Sequence, residues 1–206
     1  MIKGTPELIA ERREEIMNAC ETLYDMMPFR EVTLKEIGKH TTCSRPSIYN
    51  YFQTKEEIFL ALFEREYVLW TEDLCRIGET ANGISKEILA EHIADSLEKR
   101  KLLLKLLAVN LYDMEENSRL ECLVNFKTAY GQSREALFEL IRRSCPGLEE
   151  QRITDFVFTF LPYLHGVYPY AFATEKQIAA MDEAKISHPS FTIHDLVKSG
   201  LLKMLP

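Results

Sequence analysis

Arg45, Pro46, Ser47 and Asn50 stand close together in the stretch TTCSRPSIYNYFQTKEE, Thr41 to Glu57. These types suit hydrogen bonding to flat polar edges, not covalent chemistry. An arginine fork matches guanine O6 and N7, an asparagine amide matches adenine N6 and N7, and a serine hydroxyl serves either. Around them lie groups that suit phosphate oxygens: Thr33, Ser44, Tyr49, Tyr51 and Lys55. Phosphate contacts set register and base contacts set sequence preference, so the two groups have separate work. The plainer alternative is a solvated helix face with Thr33 and Ser44 as simple caps.

The positioning elements are legible in the flanking residues. Thr33-Leu34-Lys35-Glu36 forms a capping-box pattern, with Thr33 as cap and Glu36 reaching back. It opens a short helix that reaches about His40. Thr41-Thr42-Cys43 makes a tight turn, and Ser44 caps the next helix. Pro46 is tolerated there because its missing N–H lies in the unpaired first turn. That helix extends to near Phe52. Thr54-Lys55-Glu56-Glu57 is a second capping box and opens a long helix. Upstream, Thr5-Pro6-Glu7 starts a helix that Pro28 ends. Two short helices joined by a turn of about three residues have helix-turn-helix spacing. Leu34, Ile37, Cys43, Ile48 and Phe52 form its core, and Arg45, Ser47, Asn50 and Tyr51 point outward.

The 206 residues suit one medium domain or two small ones, and 46% are hydrophobic, enough for a core. Scarce Gly and Pro and helical periodicity predict an all-α fold. The net charge of −7 means that any nucleic-acid role rests on a local basic patch. Lys35, Lys39, Arg45 and Lys55, with His40 beside them, face only Glu36 between them. The five cysteines are odd in number and scattered without a CxxC pair. A disulfide framework and a zinc site are not expected, and a reducing cytoplasm is. The apolar run Leu102 to Leu111 is interrupted by Lys105 and Asn110 and is too short to span a bilayer. His188 and His194 make a weak pair, so no metal and no cofactor are expected. With no Gly-rich phosphate loop, GxSxG or HExxH, an enzyme is not expected either.

Beyond Thr54 the helices lengthen. Phe59, Phe63, Trp70, Leu74 and Ile77 form one stripe, broken at Gly83. Further helices are expected over Ser85 to Arg100, Lys101 to Met114, Ser118 to about Ser144, Leu148 to Phe172, and Ile193 to Met204. Pro162 and Pro169 are expected to kink or end the fourth of these. Its second half is apolar on every face, which argues for burial by two surfaces. One is inside the subunit and the other between subunits. Phe160 and Leu164, with Ile193, Leu196, Val197 and Leu201, are therefore expected in a four-helix dimer seam. Trp70, His92, Asn110, Phe126, Tyr130, Phe156 and His165 are the candidates for a small-molecule pocket, although such aromatic residues more often belong to an ordinary core and a nearby carbonyl can partner each of the polar ones.

The stretch VTLKEIGKHTTCSRPSIYNYFQTKEEIFLALFE resembles the DNA-binding signature of TetR-type transcriptional regulators, over roughly residues 6 to 66. The matching features are the Thr-capped short helix, the turn, the Ser-started helix carrying Ile-Tyr-x-Tyr-Phe, and the capped Lys-Glu-Glu opening. Thr42 stands where the family often has Gly, and Tyr51 where it often has His. The resemblance implies a helix-turn-helix domain at 1–53 and a helical effector-binding and dimerisation domain at 54–206. It implies a homodimeric repressor on a near-palindromic double-stranded DNA operator, with a small-molecule effector releasing it through the long helix begun at Thr54. Two alternatives remain: a ligand-independent regulator or DNA-organising protein, and an all-helical enzyme or carrier.

Overall fold

Every regular element is a helix among the residues described, 5–109 and 111–205 with the Arg45 side chain excepted, in a computed structural model of the chain. In order they are α1 (Pro6–Met26), α2 (Leu34–Lys39), α3 (Arg45–Ile48), α4 (Lys55–Gly78), α5 (Lys86–Lys99) and α6 (Lys101–Leu107). Then follow α7 (Leu111–Glu116), α8 (Leu120–Ser144), α9 (Glu150–Ala171), α10 (Glu175–Glu183) and α11 (Ile193–Met204). Among the described residues no helix is long and apolar enough to cross a membrane.

The helix starts follow from side-chain oxygens that accept otherwise unpaired N–H groups. Thr5 accepts from Leu8, Thr33 from Glu36, Ser44 from Ser47 and Ser85 from Ile88. Thr174 with Gln177 and Thr192 with Asp195 form complete capping boxes. At Thr33 the expected box is half formed, because the Glu36 carboxylate takes the Lys39 ammonium at 2.8 Å. At Thr54 the hydroxyl accepts from the Glu57 N–H at 3.2 Å, while Glu57 reaches past it to the Gln53 N–H at 2.7 Å.

Several lengths differ from the sequence expectation. The helix begun after Ser44 is α-helical only through Ile48 and continues as hydrogen-bonded turns to Phe52. The helix from Thr54 ends at Gly78, and Gly83, at φ +69°, turns the loop that follows. The expected helix over Lys101 to Met114 is divided into α6 and α7. Neither Pro162 nor Pro169 ends α9. Both face solvent, where water can hydrate the carbonyls that lose a partner, while Phe160, Leu161, Leu164 and Val167 hold the opposite side in the core.

Two compact units make up the chain. The first holds the residues through Arg65 together with Val109–Ala129, and the second holds Glu66–Ala108 and the chain from Tyr130 onward. The division falls within α4 and α8. The first unit has its core in Ile16, Cys20, Leu23, Val32, Ile37, Ile48, Phe52, Phe59 and Phe63. In the second, α11 packs on α5 and α9, and α6 packs on α9. The approach of α11 to α9 needs a bare backbone at Gly200, because a Cβ there would lie 2.8 Å from the Tyr163 ring.

Candidate nucleic-acid interface

Four residues of α-helix cannot sustain themselves, since one hydrogen-bonded turn fixes more dihedrals than it repays. The structure of α3 therefore comes from its surroundings. Ile48 and Phe52 are fully buried, each contributing about 1.5–3 kcal/mol of apolar burial. Ile37 of α2 and Cys43 in the turn are buried as well, and Leu34 is half-buried. The opposite side carries Pro46 and Asn50, both exposed, and Ser47, half-exposed. The burial pattern thus leaves the expected base-reading residues Pro46, Ser47 and Asn50 accessible. The side chain of Arg45 and the whole of Asn110 lie outside the described residues.

Helix α1 supplies fixings that the local sequence pattern did not reveal. Arg13 places its guanidinium 4.4 Å from the centre of the Phe52 ring and donates to the Tyr51 carbonyl at 3.4 Å. Glu15 accepts from the Thr42 backbone N–H and, at 3.1 Å, from the Thr42 hydroxyl. Arg12 bonds both Glu15, at 2.7 Å, and the Thr42 hydroxyl. The Thr42 N–H, foremost, holds the Glu15 carboxyl below the ordinary range; burial opposes it, and Arg12 and the Thr42 hydroxyl add to the lowering. Thr42 needs no glycine geometry, because Lys185 is the only non-glycine residue at positive φ among the described residues.

The expected phosphate-contacting residues divide. Thr33 and Ser44 are exposed caps, and Tyr49 is 46% exposed. Tyr51 was expected to point outward but is buried at 9% exposure. Its neighbour Phe52 enters the core, and the turn after α3 draws both side chains inward. Lys55 is held inside the unit: its ammonium donates to the Phe29 carbonyl at 2.8 Å and lies 4.3 Å from the Phe29 ring centre. Lys39 is paired with Glu36. The basic character expected of this stretch is thus partly used within the fold.

The start of α4 is fixed by an ion pair whose carboxylate is buried. Glu57, 1% exposed, accepts from Arg119 Nε at 2.7 Å, Arg119 Nη2 at 2.9 Å and the Arg119 backbone N–H at 3.2 Å. Burial pushes the Glu57 carboxyl up, but bonds from Arg119 and the Gln53 N–H outweigh it, and the net shift is downward. No pattern near Arg119 signalled this partner.

The expected pocket residues fall in both units. Phe126 packs in the first unit against Phe63, with ring centres 5.2 Å apart. In the second, Trp70 is buried and donates to Ser96 Oγ at 3.2 Å, while Tyr130 meets Tyr67 edge-on at 5.6 Å. His92 is half-buried. His165 is exposed, and its Nδ1 donates to the Leu107 carbonyl at 3.0 Å, so a backbone group satisfies it. Phe156 lines a cleft of about 270 Å³ with Arg152, Asp155, Thr159 and Lys203. Of the expected seam residues, Phe160, Leu164, Ile193, Val197 and Leu201 are buried within the chain itself, and Leu196 is partly exposed. On a helix apolar all round, periodicity does not say which face turns inward.

A short capped helix presented by a turn on a three-helix head, followed by a helical unit, defines the class of helix-turn-helix DNA-binding regulators. The family model for bacterial regulatory proteins of the tetR family matches residues 16–62. The model for the tetracyclin repressor-like C-terminal domain matches residues 64–205. The chain belongs to the TetR family of DNA-binding transcriptional regulators. An uncharacterised helix-turn-helix-type transcriptional regulator of Mycobacterium tuberculosis is 28% identical over 121 residues, in strains H37Rv and CDC 1551 alike. That match covers 57% of this chain and 52% of the relative, so the chain spans about half the length of the curated relatives it matches. The fold is similar to that of the fatty acid degradation regulator FadR from Bacillus halodurans, with TM-score 0.61, 16% identity and coverage of 100% and 97% of the two chains. It is also similar to a candidate TetR-family regulator from Mesorhizobium loti, with TM-score 0.59, 13% identity and coverage of 95% and 96%.

Proposed function

We propose that this regulator acts as a homodimeric repressor on a near-palindromic double-stranded operator, and that a small-molecule effector releases it. The observation that carries the reading is α3: buried on Ile48 and Phe52, polar and open on Pro46, Ser47 and Asn50. A helix so held can enter the major groove with Arg45, Ser47 and Asn50 toward base edges. Thr33, Ser44 and Tyr49 contact phosphates. Tyr51, buried and with Arg13 donating to its carbonyl, and Lys55, half-buried and donating to the Phe29 carbonyl, serve mainly to shape the head. Two heads spaced about 34 Å apart meet successive major grooves on one side of the duplex.

The second unit binds the effector and α4, which runs from the head into that unit, carries the change. In the dimer the outward residues of α9, such as Phe158, Pro162 and Tyr170, are better placed to meet a partner than the inward residues of the same helix. Binding-site selection from random duplexes, followed by fluorescence anisotropy, tests the reading. Arg45→Ala and Asn50→Ala should each weaken the selected site by about 1–3 kcal/mol and relax preference at one base pair. Unchanged affinity in both variants, or a monomer in sedimentation at working concentration, overturns it.

A further inference from the structure

The second unit carries a cluster that the regulator's function does not use. Glu91 and Asp95 lie one turn apart on α5, and His194 lies near the start of α11, the helix packed on α5. His194 Nε2 is 3.2 Å from a Glu91 oxygen and 3.6 Å from an Asp95 oxygen, and the three ligand atoms all lie within 4.8 Å of one another. A tetrahedral ion with bonds of about 2.0–2.1 Å holds its ligands roughly 3.3–3.4 Å apart, between the two measured separations. One imidazole nitrogen here faces two carboxylate oxygens, so a single N–H serves both only as a divided hydrogen bond. A cation held between the three groups satisfies all of them.

The surroundings suit the same use. His194 is the most enclosed of the three at 20% exposure, and the carboxylates open toward solvent, where water can complete the shell. Lys198 pairs with the other oxygen of Glu91, leaving the one near His194 available. Asp195, beside His194, is occupied as the capping partner of Thr192.

We propose that Glu91, Asp95 and His194 bind one divalent transition cation of the zinc type, tying α5 to α11. Mixed imidazole and carboxylate ligands in a tetrahedral arrangement favour Zn²⁺ over Ca²⁺ or Mg²⁺, which take oxygen ligands in higher coordination. The inference is independent of the operator and effector reading and survives its failure.

The test uses the full chain stripped with a chelator and titrated with Zn²⁺, and with Co²⁺ as a coloured probe. One equivalent of Zn²⁺ should bind and raise the thermal midpoint, and Co²⁺ should give tetrahedral visible bands without a thiolate charge-transfer band. His194→Gln and Asp95→Asn, each checked for an unchanged metal-free midpoint, should weaken binding by about 100-fold or more, since even outer-shell changes lose 10–100-fold. Lys198→Met, which removes a competing positive charge, should bind at least as well as the parent. The proposal is overturned if Zn²⁺ does not bind below millimolar concentration, if the His194 and Asp95 variants bind as tightly as the parent, or if the cobalt spectrum shows thiolate ligands.

Discussion

Removing the Arg119 side chain is the sharpest probe of how the head is held. Glu57 is 1% exposed and loses two charge-assisted bonds, of 2.7 and 2.9 Å, in Arg119→Ala. It retains the Gln53 and Arg119 backbone N–H groups. Breaking a buried pair by removing one partner costs about 3–5 kcal/mol when the other charge is left uncompensated. Arg119 is itself 36% exposed, so water enters where the side chain was, and the retained N–H groups reduce the deficit further. The expected loss is therefore about 2–3 kcal/mol, or roughly 4–12 °C in the midpoint of a chain this size. Differential scanning calorimetry and urea unfolding give the two values independently.

Two companion variants separate the causes. Arg119→Lys keeps the charge and loses the fork, and should fall between parent and Arg119→Ala. Glu121→Ala removes only the exposed partner of Arg119 and should change stability by less than about 0.5 kcal/mol. Because Glu57 also holds Gln53, between the α3 turn and α4, Arg119→Ala should lower operator affinity at temperatures where the protein is still folded. A loss of stability below about 0.5 kcal/mol refutes the argument, since that is the range of an ordinary surface substitution.

Glu15 and Glu57 both have lowered folded pKa values, so their stabilisation is complete above the ordinary glutamate value of about 4.3 and is lost as pH falls through the folded values. Unfolding midpoints should therefore decline below about pH 4.3, less steeply in Glu15→Gln, and an identical decline in that variant counts against the Glu15 assignment. Gly200→Ala should destabilise by about 1–3 kcal/mol, since the new Cβ meets the Tyr163 ring whose hydroxyl donates to the Leu196 carbonyl. Combining it with Tyr163→Ala should cost less than the sum of the two, and strict additivity in thermal unfolding argues against the contact. Thr42→Gly should destabilise by about 1–2 kcal/mol through lost hydroxyl bonds and added backbone freedom. A more stable glycine variant means that the turn is strained after all.

The caps at Thr33, Ser44 and Thr54 and the core positions Ile37, Cys43, Ile48 and Phe52 were legible because each depends on neighbours within a turn or two. The partners of Glu15 and Glu57 were not, because Thr42 and Arg119 reach them through tertiary structure that no local period records. The same limit hid Glu91, Asp95 and His194, which lie on helices distant in sequence. The inward face of α9 is hard to read for another reason. On α9 apolar residues occupy every face, so Phe160 and Phe158 are alike in sequence, yet one is buried and the other 54% exposed. Tyr51 shows the converse: a polar-tipped residue beside exposed Asn50 follows Phe52 inward.

These placements bear on how an acidic protein presents a DNA-reading surface. A four-residue helix has too few internal hydrogen bonds to hold a direction, so its orientation is set where it is gripped. Both main grips use carboxylates: Glu15 holds the turn before α3 and Glu57 holds the segment after it. The negative charge of each is answered by an arginine, Arg12 or Arg119, within the same unit. Negative charge near the reading face is thus neutralised locally, while Lys39 and Lys55 are engaged by Glu36 and Phe29. On the proposed reading, discrimination by α3 depends on this fixed orientation as well as on charge. Weakening either grip should therefore reduce specific binding more than nonspecific binding, the reverse of what removing a phosphate-contacting lysine does.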